Sequence, residues 1–302
     1  MSLPALSDEQ HELFRLIEDT SEHVFITGRA GTGKSTLLQY FSWNTKKQIA
    51  ICAPTGVAAL NVEGQTIHSL FRLPIGLIGG SDIDQNDNTR RILNAIETLV
   101  IDEISMVNAD LMDAIDRSLR QARGKRGIPF GGVQIVMFGD PYQLAPVPPR
   151  GDELRYVKDH YRSFWFFDAK VWAGPWKDAE PDAQEGDVLF VVDTRAELHV
   201  RELVHIHRQS DDGFKAMLNA VRYGRVTAEI AGVLNTQGAR TPPDPEPGEV
   251  PMITLATRND IVNTINSRHL AALPGKEQTA KAEVSGEFGR GEASLPAEPE
   301  LK

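Results

Sequence analysis

The chain is poor in cysteine and has no long apolar run, and each absence excludes a class of protein. Its 302 residues include a single cysteine, Cys52, so an internal disulfide is excluded. No stretch approaches the roughly 18 uncharged apolar residues that a membrane-spanning helix needs. The first residues, MSLPALSDEQ, lack the basic start and apolar core of a secretory signal. We therefore expect a protein of the reducing cytoplasm without a membrane partner.

Basic charge is also scarce, because 32 lysines and arginines stand against 42 acidic residues and the net charge is −10. Proteins that coat a polyanion are usually basic, so any contact with nucleic acid has to use a local groove. Hydrophobic residues make up 41% and charged residues 25%, a balance typical of globular proteins. The length corresponds to two domains of ordinary size or to one large α/β domain.

Short apolar strands alternate with amphipathic helices along the first half of the chain. The predicted strands are 23–27, 48–53, 98–101 and 133–138, and the predicted helices begin at Ser7 or cover 34–43 and 108–123. This alternation predicts an α/β fold with a mostly parallel sheet, in which ligands bind at the carboxyl ends of the strands. A second periodic region, 198–273, contains predicted helices at 211–223 and 259–272 and a predicted strand at 252–256. The tail from about 283 is poor in apolar residues.

Residues 28–35, GRAGTGKS, match the pattern G-x-x-x-x-G-K-[ST] between a predicted strand and a predicted helix. Glycines let backbone N–H groups turn inward around phosphates, and the N-terminus of the helix adds positive dipole. Lys34 can reach the β- and γ-phosphates, and the Ser35 hydroxyl can ligate Mg²⁺. The motif therefore predicts a site for a nucleoside triphosphate.

Two adjacent acids, Asp102 and Glu103, follow the strand at 98–101. On a continuing strand they would point in opposite directions and could divide the work, Asp102 toward Mg²⁺ and Glu103 toward the attacking water. By themselves they are more simply interpreted as solvated acids at a strand end. The phosphate loop makes the functional interpretation the better one.

Three further features have two interpretations from the residues alone. Gln143 follows the fourth strand and is either an ordinary turn residue or a contact to the γ-phosphate. Arg208 is either a surface arginine or one that stabilises charge on the transferred phosphoryl group. The basic run at 117–126 is either a DNA track or, preferably, a solvated helix end that complements the helix dipole.

Taken together, the motifs resemble those of the Pif-type helicases, which belong to superfamily 1 in the five-prime-to-three-prime branch with RecD-like enzymes. The matching segments are GRAGTGKST (28–36), APTGVAAL (53–60), GQTIHSLF (64–71), LVIDEISMV (99–107), FGDPYQLAPV (138–147), RQSDDGFKAMLNAVRYG (208–224) and TLATRNDIVNTIN (254–266). The resemblance implies a P-loop NTPase with two RecA-like lobes, ATP in the cleft and single-stranded DNA across the top. We expect a first lobe at 1–197 and a partial second lobe at 198–302.

The resemblance also implies roles for individual residues. Nucleotide binding would fall to Gln10, Gly28, Ala30, Gly31, Thr32, Gly33, Lys34, Ser35 and Thr36. Catalysis would fall to Lys34, Asp102, Glu103, Gln143 and Arg208, with Mg²⁺ held by Ser35 and Asp102. The DNA strand would be contacted by Pro54, Thr55, Gly56, Thr66 and His68. Two alternatives stay open: Ser7-x-x-Gln10 is also a capping box, and His68 is equally a packed core histidine.

Residues 72–90 stand where such helicases place a small wedge that splits the duplex, but this segment is short and acidic. Two motifs that such helicases carry near the C-terminus are absent, a histidine-lysine-serine-glutamine-glycine stretch and a second arginine. We therefore expect an N-terminal portion or a truncated product that binds ATP but couples it poorly to strand movement.

The implied activity is that of a monomeric, ATP-dependent DNA helicase that moves five-prime to three-prime in DNA repair, recombination and telomere maintenance. Two alternatives are a P-loop ATPase or small-molecule kinase unrelated to nucleic acid, and a nucleotide-binding module without catalysis.

Overall fold

The computed structural model describes residues 6–78, 83–174, 195–205, 211–239, 253–275, 280–281 and 300–301. The chain divides into two compact units, Met1–Arg225 and Val226–Lys302. The strands of the first unit are β1 (His23–Gly28), β2 (Ile49–Ala53), β3 (Gln65–Thr66), β4 (Thr98–Ile101), β5 (Gln134–Phe138) and β6 (Leu198–Leu203). Its α-helices are α1 (Asp8–Asp19), α2 (Lys34–Asn44), α3 (Gly56–Asn61), α4 (Ile67–Phe71), α5 (Asp87–Ala95), α6 (Ala109–Arg123), α7 (Gly151–His160), α8 (Lys170–Ala173) and α9 (Asp212–Arg222).

The six strands described in the first unit form one sheet in the order β3-β2-β4-β5-β1-β6. Every pair is parallel; Val24 lies opposite Val136, for example, and Ala50 lies opposite Leu99. Because the strands are parallel, their carboxyl ends all lie at one edge of the sheet. The predicted α/β fold with a parallel sheet is confirmed.

Apolar side chains cover both faces of this sheet. On one face, α1 and α2 bury Ile17 and Leu37 in a cluster that includes Val100 of β4. On the other face, α6 buries Ile115 in a cluster that includes Leu99 of the same strand. Neighbouring residues of β4 therefore serve opposite cores, as the strand periodicity requires. Each such fully buried side chain contributes about 1.5–3 kcal/mol, so these clusters hold the strand ends in place.

The boundary between the two units differs from the one expected at residue 197. Leu198–Leu203 forms β6, which pairs with β1 over its whole length and so belongs to the first sheet. The separation falls at Arg225 instead, after α9. A short strand carries no helical period, so the sequence did not distinguish it from the start of another lobe.

The described part of the second unit contains two helices, α10 (Ala228–Gly238) and α11 (Asn259–Ala272), and an antiparallel pair, β7 (Ala280–Lys281) and β8 (Glu300–Leu301). The predicted helix at 259–272 is confirmed. The predicted strand at 252–256 is wrong for its described part, 253–256, which has no strand structure. Ile253 and Leu255 are exposed there, so this apolar segment pairs with no sheet. The identity of this unit as part of a second RecA-like lobe stays a prediction.

The segment 72–90, interpreted as a wedge, is anchored on α6 at both sides of residues 79–82, which lie outside the described residues. The Ile78 N–H donates to Asp110 Oδ2 at 2.8 Å, and Gln85 Nε2 donates to the Ser118 carbonyl at 2.8 Å. Ile75 is exposed. The strand-separating role stays a prediction. Across all described residues, no helix is long and apolar enough to cross a membrane.

Candidate functional site

The phosphate loop connects β1 to α2, and its shape depends on glycine. Gly31 and Gly33 have φ angles of 83° and 84°, in the left-handed region that other residues rarely adopt. Gly28 lies so close to the neighbouring strand that a Cβ atom would come within 2.7 Å of the Leu203 carbonyl oxygen. The loop is therefore held between β1, β6 and the N-terminus of α2.

The ammonium group of Lys34 is folded onto this loop. Nζ donates to the carbonyls of Gly28 at 2.6 Å and Arg29 at 3.2 Å. Burial lowers the pKa of Lys34, whereas the charges of Asp140 and Glu103 oppose that shift. The ammonium group is therefore held on the loop, near the carboxylates of Asp140 and Glu103, in a position where it can bind a phosphate.

Asp102 and Glu103 lie just beyond the end of β4. Glu103 has φ 50° and ψ 42°, which turns the chain into a short 3-10 helix, Ile104–Met106. The expectation of strand alternation was therefore wrong, because the strand ends at Ile101 and the left-handed turn lets both acids line one cavity. Burial, together with the neighbouring Glu103 charge, raises the pKa of Asp102 to about 6.

One cavity of about 200 Å³ brings most of the predicted nucleotide residues together. It is lined by Ala30, Gly31, Gly33, Lys34, Ser35, Thr36, Asp102, Glu103, Gly139 and Gln143. Two predicted residues of the loop, Gly28 and Thr32, instead support it from behind: Thr32 is buried, and its hydroxyl donates to the Arg29 carbonyl at 3.0 Å. The cavity is therefore bounded by the ends of β1, β4 and β5.

Gln10 makes the contacts expected of a capping residue. Its Oε1 accepts from the Ser7 N–H at 2.9 Å, its own N–H donates to Ser7 Oγ, and the capping box is complete. Its Nε2 also donates to the Gly33 carbonyl at 3.1 Å, which ties α1 to the phosphate loop. The capping alternative is confirmed, and contact with adenine stays a prediction.

Gln143 faces the cavity from the turn after β5, and its position depends on an acid that the sequence analysis did not single out. Asp140 is 2% exposed, and its Oδ2 accepts from Gln143 Nε2 at 3.2 Å. An acid two residues after the end of a fully buried strand was the available signal. Arg208, the other predicted sensor of the γ-phosphate, lies outside the described residues; β6 ends five residues before it, at the same sheet edge.

The predicted DNA contacts cluster at the ends of β2 and β3, where Thr66 pairs with Ala53. The hydroxyls of Thr55 and Thr66 accept the capping N–H groups of α3 and α4 at 3.2 and 3.1 Å. Gly56 is exposed. His68 is half-buried, and burial lowers its pKa, so it is neutral at pH 7. Pro54 completes the group, which lies along the same sheet edge as the cavity.

A parallel sheet with a phosphate loop after its first strand and an acid pair after a central strand defines a P-loop nucleotide-binding protein of the RecA-like type. Comparison with known proteins agrees with this class. Residues 5–171 match the model of the PIF1-like helicase family. The chain therefore belongs to the PIF1-like helicase family.

Two curated relatives give the extent of the similarity. The chain is 32% identical over 286 residues to the ATP-dependent DNA helicase RRM3 of Saccharomyces cerevisiae, covering 92% of this chain and 35% of that protein. It is 31% identical over 279 residues to the human ATP-dependent DNA helicase PIF1, covering 90% of this chain and 38% of that protein. The chain thus spans little more than a third of the length of these relatives.

Solved structures match the fold as well. A Bacteroides Pif1 helicase in complex with ADP-AlF3 and single-stranded DNA has 33% identity and a TM-score of 0.80, covering 99% of this chain and 64% of that chain. The Candida albicans Pif1 helicase has 28% identity and a TM-score of 0.72, covering 94% of this chain and 59% of that chain. The chain therefore shares the P-loop, RecA-like α/β fold of these helicases.

Proposed function

We propose that this chain binds Mg²⁺·ATP in the cavity beside Lys34 and hydrolyses it as the ATPase part of a DNA helicase. The observation that carries this proposal is the single cavity in which the phosphate loop, the acid pair and Gln143 meet. A cation, two carboxylates and an amide around one space match the needs of phosphoryl transfer to water. The family's known members named above are ATP-dependent DNA helicases.

Each cavity residue has a separate task in this proposal. Lys34 binds the β- and γ-phosphates, and Glu103 accepts the proton of the attacking water. Ser35 and Asp102 would hold Mg²⁺, which prefers hard oxygen donors such as hydroxyl and carboxylate. Burial raises the pKa of Asp102 to about 6 even though the charge of Lys34 lowers it, so the carboxylate is only partly compensated, and this fits a divalent ion beside it. When bound, the ion neutralises phosphate charge.

The DNA strand would cross the ends of β2 and β3. Backbone N–H groups and hydroxyls at Thr55 and Thr66 can bond phosphates without reading sequence, as a motor that moves along any strand requires. Support comes from the clustering of these residues and from the Bacteroides helicase, whose complex contains single-stranded DNA. Arg208 would complete the ATP site.

The finer assignments of movement five-prime to three-prime and of roles in repair, recombination and telomere maintenance follow from the family resemblance. We further propose a monomer, and a cytoplasmic location on the ground of the single cysteine. Because the chain spans little more than a third of its curated relatives, we expect it to bind ATP but to couple turnover poorly to unwinding.

ATPase rates with and without a single-stranded oligonucleotide test the proposal. We expect DNA to stimulate turnover, and Glu103→Gln to abolish turnover while ATP stays bound. An ATPase rate that DNA leaves unchanged, together with no measurable DNA binding, would indicate a P-loop ATPase unrelated to nucleic acid. ATP binding without turnover would indicate a non-catalytic module. Efficient unwinding of a duplex with a five-prime overhang would contradict the expected poor coupling.

A further inference from the structure

Arg222, the last residue of α9, forms a buried ion pair that none of the roles assigned above uses. Its Nη2 donates to Asp140 Oδ1 at 2.8 Å, and the two side chains are only 11% and 2% exposed. Removing both charges from water is costly, so such a pair adds little net stability. We therefore ask which neighbouring groups the Arg222–Asp140 pair holds in position.

The carboxylate of Asp140 joins Arg222 to the nucleotide cavity. Its Oδ1 also accepts from the Tyr142 N–H at 3.1 Å, and its Oδ2 accepts from Gln143 Nε2 at 3.2 Å. Arg222 thus holds one oxygen while the cavity-lining Gln143 uses the other. The orientation of the Gln143 amide therefore depends on a carboxylate that Arg222 keeps in place.

Two tyrosines restrain Arg222 in turn. The guanidinium carbon lies 4.6 Å from the ring centre of Tyr142 and 5.4 Å from that of Tyr223, and the two rings meet edge to face at 5.2 Å. Arg222 Nε and Nη1 are buried and have no hydrogen-bond partner among the described residues. The guanidinium group packs against the two tyrosine rings instead. Since Tyr142 lies between Asp140 and Gln143 in the chain, this packing also fixes their turn.

The pair also sets the field at the phosphate loop. The charge of Arg222 lowers the pKa of Lys34, and the charge of Asp140 raises it, so the two partly cancel there. Loss of Arg222 alone would leave a buried negative charge close to the space for the phosphates. Loss of both charges would restore the balance.

We propose that Arg222 and Asp140 are positioning residues that hold the Gln143 amide where it distinguishes a triphosphate from a diphosphate. This inference rests on the proposed function, because it takes Gln143 as the contact to the γ-phosphate. Arg222 acts through Asp140. The expected signature is a change in preference between two nucleotides with little change in affinity for the diphosphate, which a merely structural defect would not produce.

Fluorescence anisotropy with labelled ADP and a labelled non-hydrolysable ATP analogue, both with Mg²⁺, tests the inference. One hydrogen bond to a charged group corresponds to about ten-fold or more in affinity, so we expect the wild type to prefer the triphosphate at least that strongly. Arg222→Gln and Asp140→Asn should each reduce the preference to below about three-fold, and the double variant should lose no more than either, because the two act as one unit. Arg225→Gln is the matched control, because this exposed arginine lies against the same Tyr223 ring, 5.8 Å from its centre.

Each outcome decides a separate point. The inference would be overturned if Arg222→Gln preferred the triphosphate as strongly as the wild type does. It would also be overturned if the double variant lost the product of the two single-variant losses in that preference. Equal affinity of the wild type for both nucleotides would overturn it while leaving ATP binding intact. Failure of the wild type to bind either nucleotide would overturn the proposed function and this inference with it. If circular dichroism shows that Arg222→Gln does not fold, the near-isosteric Asp140→Asn variant carries the test.

Discussion

Replacement of Lys34 by methionine should separate nucleotide binding from folding. Methionine keeps the buried aliphatic stem but removes the ammonium that donates to Gly28 and Arg29. A hydrogen bond to a charged group is worth about 1.5–3 kcal/mol, so we expect Mg²⁺·ATP affinity to fall roughly 10- to 150-fold. Isothermal titration calorimetry measures this directly.

Stability should change little in the same variant. Burial already disfavours the charged form of Lys34 and lowers its pKa, so loss of the charge relieves a desolvation cost that offsets the lost carbonyl contacts. We expect the free energy of unfolding without nucleotide to stay within about 1 kcal/mol of wild type. In the wild type, affinity should decrease at high pH earlier than for an ordinary lysine, because the ammonium deprotonates sooner.

Lys46→Met is the control, because Lys46 is an exposed lysine between α2 and β2, and its backbone N–H, which the substitution keeps, donates to Glu18 Oε1 at 3.0 Å. It should leave nucleotide affinity unchanged. Undiminished affinity in Lys34→Met would refute the assignment of the cavity as a triphosphate site, and the motor interpretation would lose its basis.

Three further predictions concern stability without nucleotide. Burial lowers the pKa of His23 to about 4, so the folded protein favours the neutral imidazole, and its contribution to stability is complete above the unfolded pKa of 6.5. Urea titrations should show that the free energy of unfolding falls by up to about 3 kcal/mol between pH 6.5 and pH 4. The fall should be smaller in His23→Gln. In metal-free protein at pH 7, Asp102→Asn should raise the free energy of unfolding by about 1–2 kcal/mol, because burial raises the pKa of that carboxyl to about 6. This gain in stability should vanish near pH 4. Equal stability of the variant and the wild type at pH 7 would contradict the prediction. Gly28→Ala should cost about 1–3 kcal/mol, since its Cβ would meet the Leu203 carbonyl at 2.7 Å, whereas Gly127→Ala meets nothing within 4 Å and should be neutral.

The parts of the fold that local pattern determines were predictable from the sequence. The helix at Ser7, the phosphate loop and the strand before Asp102 each combine an apolar period with a capping or glycine signal. β6 was not predictable, because its partner β1 lies about 175 residues earlier and its outer face is exposed. Pairing at such separation leaves no signal in the segment itself.

The site was predictable where a residue's chemistry is carried by its motif, and not where it depends on tertiary contacts. The position of Lys34 at the cavity follows from the phosphate-loop motif, and that of Glu103 follows from the acid pair at a strand end considered together with that motif. Arg222 has no such signal, because only the fold brings the end of α9 against Asp140. The basic run on α6 shows the same limit: Arg123, expected at a solvated helix end, donates to the carbonyls of Asn94, Ile96 and Gly131. Its guanidinium group therefore joins α6 to the end of α5 and to Gly131, and the side chain is only partly exposed.

The order of the strands places the nucleotide cavity and the proposed DNA contacts side by side at the carboxyl edge of the sheet. β4 lies between β2, whose end carries Pro54 and Thr55, and β5, whose end carries Gln143. The Asp102 N–H donates to the Cys52 carbonyl at 2.9 Å, so the acid pair is bonded to the strand that leads into the proposed DNA contacts. Closely packed sheet ends transmit small displacements because they cannot deform independently. The proposed DNA contact at Thr55 is therefore separated from the backbone of the acid pair by a short length of chain, Cys52 to Thr55, and by one hydrogen bond.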